Sequence, residues 1–302
     1  MIISLSGKAG VGKDSVAIMI QGLELSLDRD QVIHAVRQQQ QFKESSWQIK
    51  RFADKLKDIT CMLIGCTREK LEDREFKEKP LGEEWNYFEA FSNGKRIIYA
   101  NKKDFPYDAS HFTEKQMTPR KLMQLLGTEC GRKIIHPNIW VNTLFADYNM
   151  EHEYEFRRGV KIPDAKNFNY PNWIIPDCRF KNEADAIKEK GGVLIRINRK
   201  KIPKIGEEVE IIELDNYTKE FRSKFNLPIR GIVKEVYDPE ILVSIDGCEE
   251  NIDLYEWQYK ILTDNHLSET ALDNYEDFDY VINNNGSLED LLTKVKQLNL
   301  PL

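Results

Sequence analysis

IISLSGKAGVGKDS, residues 2–15, decides how the chain is read. Residues 1–6 form a short apolar run that reads as a strand. Gly7, Lys8, Ala9, Gly10, Val11, Gly12, Lys13, Asp14 and Ser15 follow at once and fit the spacing G-x-x-x-x-G-K. A helical pattern comes next, with Val16, Ile20 and Leu23 on one face. In such a strand, turn and helix, the glycines let backbone N–H groups converge on a phosphate. The helix N-terminus adds the positive end of its dipole. A chance glycine-rich turn is the competing reading, and the flanking elements weigh against it. Residues 7–15 are therefore expected to hold ATP, with Lys13 reaching the β- and γ-phosphates.

The position after Lys13 departs from the common pattern. Asp14 stands where a Ser or Thr hydroxyl usually helps to hold Mg²⁺, and Ser15 comes one residue later. Nucleoside monophosphate kinases similar to adenylate kinase also carry their hydroxyl one residue late. A carboxylate aimed into the cradle would repel a polyanion, so Asp14 is expected to face outward or bond the loop backbone, and Ser15 to serve the metal. Residues 101–104, NKKD, match the guanine-reading pattern of GTPases. No D-x-x-G lies between them and the glycine loop, so a solvated charged turn is the better reading.

The remaining sequence alternates strands and helices. Residues 47–52, 173–176, 193–197 and 280–282 read as strands, and residues 56–64, 184–190 and the segment after Ser287 as helices. Thr118-Pro119 is a helix start, and Asn93-Gly94 a hairpin turn. Residues 26–46 are polar, with four glutamines at 38–41, and read as a surface excursion. This rhythm predicts an α/β fold built on a parallel sheet. Residues 203–258 break it with several short β-rich runs, the pattern of a small β-barrel.

Composition narrows the function. The chain has 302 residues, 41% hydrophobic, with a net charge of −6. No global basic field exists to hold a nucleic-acid backbone. Residues 203–258 carry fourteen acidic residues against six basic ones, so this segment would repel phosphate most strongly. The five cysteines, Cys61, Cys66, Cys130, Cys178 and Cys248, form no C-x-x-C pair, and the five histidines show no zinc spacing. Reduced thiols and a cytoplasmic setting are expected. No apolar run reaches membrane-spanning length, and the start is too short for a signal peptide.

Two further segments carry candidate chemistry. In residues 120–135, RKLMQLLGTECGRKII, Arg120, Gln124 and Gly127-Thr128 recur on one helical face, with Leu122, Leu125 and Leu126 on the other. Arg suits a phosphate through its bidentate fork, and Gln a base edge. A plain amphipathic surface helix would show the same pattern. In residues 172–187, NWIIPDCRFKNEADAI, Asp177, Arg179 and Glu183 lie just past a buried strand. Ligands of open α/β sheets sit at such strand ends. Asp177 could hold Mg²⁺ through water or bind the acceptor sugar, and Arg179 could neutralise transferring phosphate. A structural Asp–Arg pair is the alternative.

With these segments in order, the chain resembles the bacteriophage-type deoxynucleoside monophosphate kinases. The blocks are SLSGKAGVGKDS, RFADKLKDIT, CTREKLEDREFK, TPRKLMQLLGTECGR, HPNIWV, IIPDCRFKNEADAI and VINNNGSLEDLL. They cover most of residues 1–200 and 262–299. The resemblance implies a P-loop kinase with a central parallel sheet flanked by helices, formed by residues 1–201 and 259–302. Residues 202–258 would be an inserted β-barrel-like module. It implies catalysis by Lys13, Arg179 and Asp177, and Mg²⁺, arriving with ATP, held at Ser15 and Asp177 partly through water. It implies an acceptor pocket of Lys57, Arg120, Lys121, Gln124, Gly127, Thr128, Trp140, Asp177, Arg179 and Glu183, with Trp140 stacking on or walling the base. Arg196 or Arg199 would be a mobile phosphate contact. That last assignment is strained, because Arg199 and the block His266-Leu267-Ser268-Glu269, separated in the family by a short loop, lie far apart here.

The activity implied is transfer of the ATP γ-phosphoryl group to a deoxynucleoside monophosphate. A kinase of the dephospho-coenzyme A type and a non-catalytic nucleotide-binding regulator are the alternatives. Small-molecule nucleotides are the expected partners, with neither nucleic acid nor a membrane among them. A homodimer, and a contact of the inserted module with another protein, are left open.

Overall fold

A computed structural model describes residues 1–92, 95–99, 113–149, 151–157, 160–200, 203, 205–237, 240–246, 251–255, 258–261 and 270–302. The strands, in chain order, are β1 (Ile2–Ser6), β2 (Trp47–Ile49), β3 (Tyr87–Ser92), β4 (Lys95–Tyr99), β5 (Thr113–Lys115), β6 (Glu151–Arg157), β7 (Val160–Asn169) and β8 (Asn172–Cys178). They continue with β9 (Val193–Asn198), β10 (Glu208–Ile211), β11 (Ile229–Val236), β12 (Glu240–Ser244), β13 (Ile252–Tyr255), β14 (Tyr259–Ile261) and β15 (Tyr280–Asn283). The helices are α1 (Lys13–Glu24), α2 (Arg29–Arg37), α3 (Asp54–Ile64), α4 (Arg68–Glu72), α5 (Arg74–Glu78), α6 (Pro119–Gln124), α7 (Ile139–Phe145), α8 (Lys181–Glu189), α9 (Lys219–Arg222) and α10 (Leu288–Gln297). A π-helical segment, Leu125–Ile135, continues α6.

The central sheet has the order β15-β9-β1-β8-β2, with every neighbouring pair parallel. A parallel sheet is covered on both faces, so its strands must be apolar on both. All five residues of β1 are buried. Ile3, Leu5, Ile174 and Ile195 enter a core with α1, α2 and α10. Ile2, Trp173, Ile175 and Leu194 point the other way, to a core with Trp140, Val141 and Leu144 of α7 and Ala184 and Ile187 of α8. Each fully buried aliphatic side chain contributes about 1.5–3 kcal/mol. The pairing sets Ser6 beside both Cys178 and Arg196, so the loops after β1, β8 and β9 leave the sheet together. This α/β arrangement fits a P-loop kinase.

The predicted helix signals are met. Thr118 accepts from the Lys121 N–H with Pro119 in the first turn, and Ser287 forms a capping box with Asp290. The reading of residues 26–46 as a surface excursion is corrected. Asp28 and Gln31 form a capping box that starts α2, whose Val32, Ile33, Ala35 and Val36 are buried against α1. A four-residue apolar stripe inside a polar composition made this helix hard to see.

Outside the main sheet, β3 pairs antiparallel with β4 and β5, and β6 pairs with β7. Ser92 lies opposite Lys95; the expected turn at Asn93-Gly94 falls outside the described residues, as do residues 101–104, Cys248 and the His266–Glu269 block. The β-rich segment forms a five-stranded antiparallel sheet, β13-β12-β11-β10-β14, over its own core of Val209, Ile211, Val233, Val243 and Leu254. The expected barrel is not what the pairings describe. β13 and β14 are the edges of the sheet, and no described pairing joins them. The sheet also runs past residue 258, because β14 pairs with β10 through Ile261.

Candidate active site

The loop from Gly7 to Gly12 needs its glycines for definite reasons. Gly7, Gly10 and Gly12 all have positive φ, of 145°, 78° and 101°, where a Cβ is strained. A Cβ on Gly7 would also collide with the Ile197 carbonyl, and one on Gly12 would come within 2.8 Å of Asn284 Nδ2. Asn284 is buried, and it donates from Nδ2 to the Val11 carbonyl at 2.9 Å and from its backbone to the Asn198 carbonyl at 2.7 Å. The residue after β15 thus pins the loop after β1. Lys13 is buried and curls back over the loop, its Nζ donating to the Gly7 and Lys8 carbonyls at 2.7 Å each. Ser15 is half-buried in the first turn of α1.

Asp14 faces away from the cradle, as expected for a carboxylate. Its Oδ1 accepts from Arg51 Nη2 at 2.6 Å, and its side chain is 56% exposed. Arg51 lies between β2 and α3, with 25% of its side chain exposed. Burial opposes its charge, but Asp14, supported by Asp177 and Asp54, outweighs that and raises its pKa.

Asp177, at the end of β8, is half-buried. Its Oδ1 and Oδ2 accept from the backbone N–H groups of Phe52 and Ala53, at 3.0 Å each. The carboxylate therefore joins the β8 end to the start of α3. Burial raises its pKa, against the pull of those N–H groups and of Arg51 and Arg179.

Glu183 is 1% exposed, so it reaches any ligand only through its neighbours. Its Oε2 accepts from the backbone N–H of Arg179 at 2.8 Å and of Phe180 at 3.1 Å, and Oε1 pairs with Arg132. It shapes the Arg179 main chain and caps α8. Burial pushes its carboxyl up to about 7, against the Arg132 charge and the two N–H groups. Trp140 is likewise buried. Its indole N–H donates to the Gly127 carbonyl at 2.8 Å, and its ring packs under Gly131. Of the two roles expected for Trp140, stacking on a base or walling it, this burial favours a wall packed behind the π-helical segment.

The predicted Arg120/Gln124/Thr128 stripe is also corrected. Spacing of i, i+4 and i+8 shares a face only while the helix stays α. After Gln124 the chain changes to π geometry, and Gly127 and Thr128 turn inward and are buried. Gly127 then packs so closely on Leu56 that an added Cβ would lie 2.9 Å from Leu56 Cδ2. Arg120 stays half-buried, outside that packing, and pairs with Glu78. Gln124 is half-buried. Lys121 lies 3.9 Å from Glu89 and 5.7 Å from the Tyr87 ring centroid.

Cations the sequence reading did not single out surround Lys57. Glu72 accepts from Lys57 at 2.6 Å, and from Arg68 and Lys77 at 3.3 Å each. Burial opposes the Glu72 charge, yet Lys57, Lys77 and Arg68 together pull its carboxyl down to about 2. Arg68 also donates to Asp54 and Asp58 at 2.6 Å each. Its i,i+4 spacing from Glu72 was a readable signal. Arg196 is tied down rather than mobile, bonding Ser6 at 3.3 Å, Asn198 at 3.2 Å and Asp273 at 2.9 Å. Asp273 also pairs with Lys8 of the glycine loop at 3.4 Å. Arg199 is exposed.

The structure thus gathers two groups around one strand edge. The glycine loop with Lys13 leaves β1. Asp177 and Arg179 leave the neighbouring β8, and Arg51, bonded to Asp14, joins that strand end to the loop. Comparison with known proteins finds related sequences. A model of the deoxynucleotide monophosphate kinase family matches residues 83–213, a span that holds Arg120, Asp177, Arg179 and Glu183. The chain is 25% identical over 217 residues to a deoxynucleoside-5'-monophosphate kinase of Escherichia phage T5, covering 63% of this chain and 72% of the phage protein. It is 34% identical over 110 residues to a protein of Acanthamoeba polyphaga mimivirus provisionally named a deoxynucleotide monophosphate kinase, covering 33% of this chain and 50% of the relative. These similarities bear out the resemblance read from the motifs. They point to a phosphotransferase of the deoxynucleotide monophosphate kinase type.

Proposed function

We propose that the protein transfers the γ-phosphoryl group of ATP to a deoxynucleoside monophosphate, giving the deoxynucleoside diphosphate and ADP. The observation that carries this reading is the placement of Asp177 and Arg179, inside the family-matched span, beside the Lys13 loop at one sheet edge. The acceptor phosphate is largely dianionic near neutral pH, its second pKa being about 6. Its oxygen attacks without a general base. The P–O bond to ADP breaks as the new P–O bond forms, and the protein's task is alignment and charge neutralisation.

In this reading Lys13 leaves the Gly7 and Lys8 carbonyls for the β- and γ-phosphates, and the loop N–H groups hold the rest of the chain of phosphates. Arg179 and Arg120 contact the phosphates on the acceptor side. Lys57, Lys121 and Gln124 complete that side of the pocket. Ser15 and Asp177 fit a Mg²⁺ that arrives with ATP. Among the described residues each Asp177 oxygen accepts one backbone N–H, which leaves lone pairs for a metal-bound water. Mg²⁺ when bound would neutralise charge on the β- and γ-phosphates.

Residues 1–201 and 262–302 would be the kinase domain, since β14 belongs to the module's sheet. The acidic antiparallel module would be an addition that takes no direct part in holding phosphate. Among the described residues no helix is long and apolar enough to cross a membrane, and the cytoplasm, where ATP and deoxynucleotides meet, is the proposed setting.

The test separates donor from acceptor. Arg120→Ala and Arg179→Ala should each weaken deoxynucleoside monophosphate binding by about 1.5–3 kcal/mol, the worth of a charge-assisted hydrogen bond, and leave ATP binding nearly unchanged. Normal acceptor binding with lost ATP binding would reverse the assignment.

A further inference from the structure

We propose that Arg51 is a ligand of the transferring γ-phosphate, tethered at the mouth of the glycine loop by Asp14; this rests on the kinase reading for its reaction, though not for its binding. Three observations carry it. First, the position after the loop lysine holds a carboxylate in place of a hydroxyl, and that carboxylate is turned out of the cradle onto Arg51 Nη2 at 2.6 Å. Asp14 thereby brings a cation to the loop that the loop itself does not encode.

Second, Arg51 is held at the junction of the two halves of the site. Its backbone N–H donates to Asp54 Oδ2 at 3.0 Å, and the next two N–H groups, of Phe52 and Ala53, donate to Asp177. The segment is therefore bonded to α3 on one side and to the β8 end on the other. The backbone that carries the guanidinium is pinned on both sides.

Third, the guanidinium has unspent donors. It carries five N–H bonds in a planar fork. Among the described residues only Nη2 has a recorded partner, although three quarters of the side chain is enclosed. The carboxylates acting on it, Asp14, Asp54 and Asp177, keep it charged. An enclosed, charged fork with free edges, carried on a pinned backbone and bonded to Asp14 at the start of α1, suits a phosphate oxygen. Arg68, by contrast, spends its fork on Asp54, Asp58 and Glu72.

The test measures binding of β,γ-methylene-ATP and of ADP by calorimetry in the wild type, Arg51→Ala, Arg51→Lys and Asp14→Asn, with thermal unfolding of each. Turnover with ATP and a deoxynucleoside monophosphate is measured alongside. If Arg51 meets the γ-phosphate, Arg51→Ala should bind β,γ-methylene-ATP about 10- to 100-fold more weakly, from the loss of a charge-assisted contact. It should bind ADP, which lacks that phosphate, within about threefold of the wild type. Arg51→Lys, which keeps the charge and loses the fork, should fall between, and it carries the test should the alanine variant not fold. Asp14→Asn should weaken β,γ-methylene-ATP binding less than Arg51→Ala does. Equal losses for both nucleotides, or no loss for either, in a folded Arg51→Ala or Arg51→Lys protein would overturn the assignment. A wild type that shows the binding difference but phosphorylates no acceptor would sink the kinase reading and leave Arg51 as a γ-phosphate ligand.

Discussion

Lys13 donates to two carbonyls of its own loop, acceptors that an incoming polyphosphate would replace with better ones. Lys13→Ala should therefore keep the fold and lose about 3–4 kcal/mol of transition-state stabilisation, read as turnover in a protein with an unchanged melting curve; near-normal turnover would contradict the role. Asn284 was invisible as a site residue, because one asparagine among the three at 283–285 carries no signal of its partner. The bond it makes to Val11 spans 273 residues. Removing it in Asn284→Ala leaves a buried carbonyl unsatisfied, at a cost of about 1–3 kcal/mol, and should loosen ATP binding as well; denaturant unfolding with nucleotide titration reads both. Glu183 gives a pH signature. Its carboxyl, raised by burial to about 7 from 4.5, keeps its proton in the fold where the unfolded chain has released it. The stability from that proton is full below about 4.5 and is lost as pH rises through 7. The melting temperature should fall between pH 5 and 8 more steeply in the wild type than in Glu183→Gln. Parallel curves for the two proteins would show that Glu183 does not titrate there.

At the scale of elements, the main helices and strands were legible because their apolar periods match what the sheet buries. The segment from Leu125 was not. Its apolar residues satisfy an α-helical period, and only the packing of Gly127 on Leu56 and of Gly131 under Trp140 reveals the π turn. π-helical turns often mark functional sites, and this one removes Thr128 from the face that carries Arg120. A Cβ at Gly131 would lie 2.7 Å from the Leu126 carbonyl and 3.0 Å from Trp140 Cζ2. Gly131→Ala should thus cost about 1–3 kcal/mol through overpacking, seen in urea unfolding, together with weaker acceptor binding. An unchanged midpoint would mean that the segment yields freely. The Glu72 cluster was half legible. The Arg68/Glu72 spacing lies in the sequence, but the convergence of Lys57 and Lys77 on the same carboxylate depends on how α3, α4 and α5 pack.

For the whole molecule, the sheet order sets the loops after β1, β8 and β9 side by side, which no single motif states. The positions of Lys13 and Asp177 at strand ends could be read from sequence, whereas their neighbour Arg51 could not, since its partner Asp14 is 37 residues away. The acidic antiparallel module has its own core and lies between residues that pair in the main sheet. Surface insertions cost little in loop closure, so replacing residues 203–261 with a short glycine-containing loop should leave a folded protein with measurable kinase activity; a folded, ATP-binding deletion that phosphorylates nothing would make the module part of the site. The central claim is phosphoryl transfer at the β1/β8 edge. Incubating the protein with Mg²⁺, γ-labelled ATP and each deoxynucleoside monophosphate, ribonucleoside monophosphate and dephospho-coenzyme A in turn, then separating the products, tests it most directly. The account predicts label in at least one deoxynucleoside diphosphate, and about 10²- to 10³-fold less there with Lys13→Ala. Label appearing only in coenzyme A, or only in free phosphate, would contradict it.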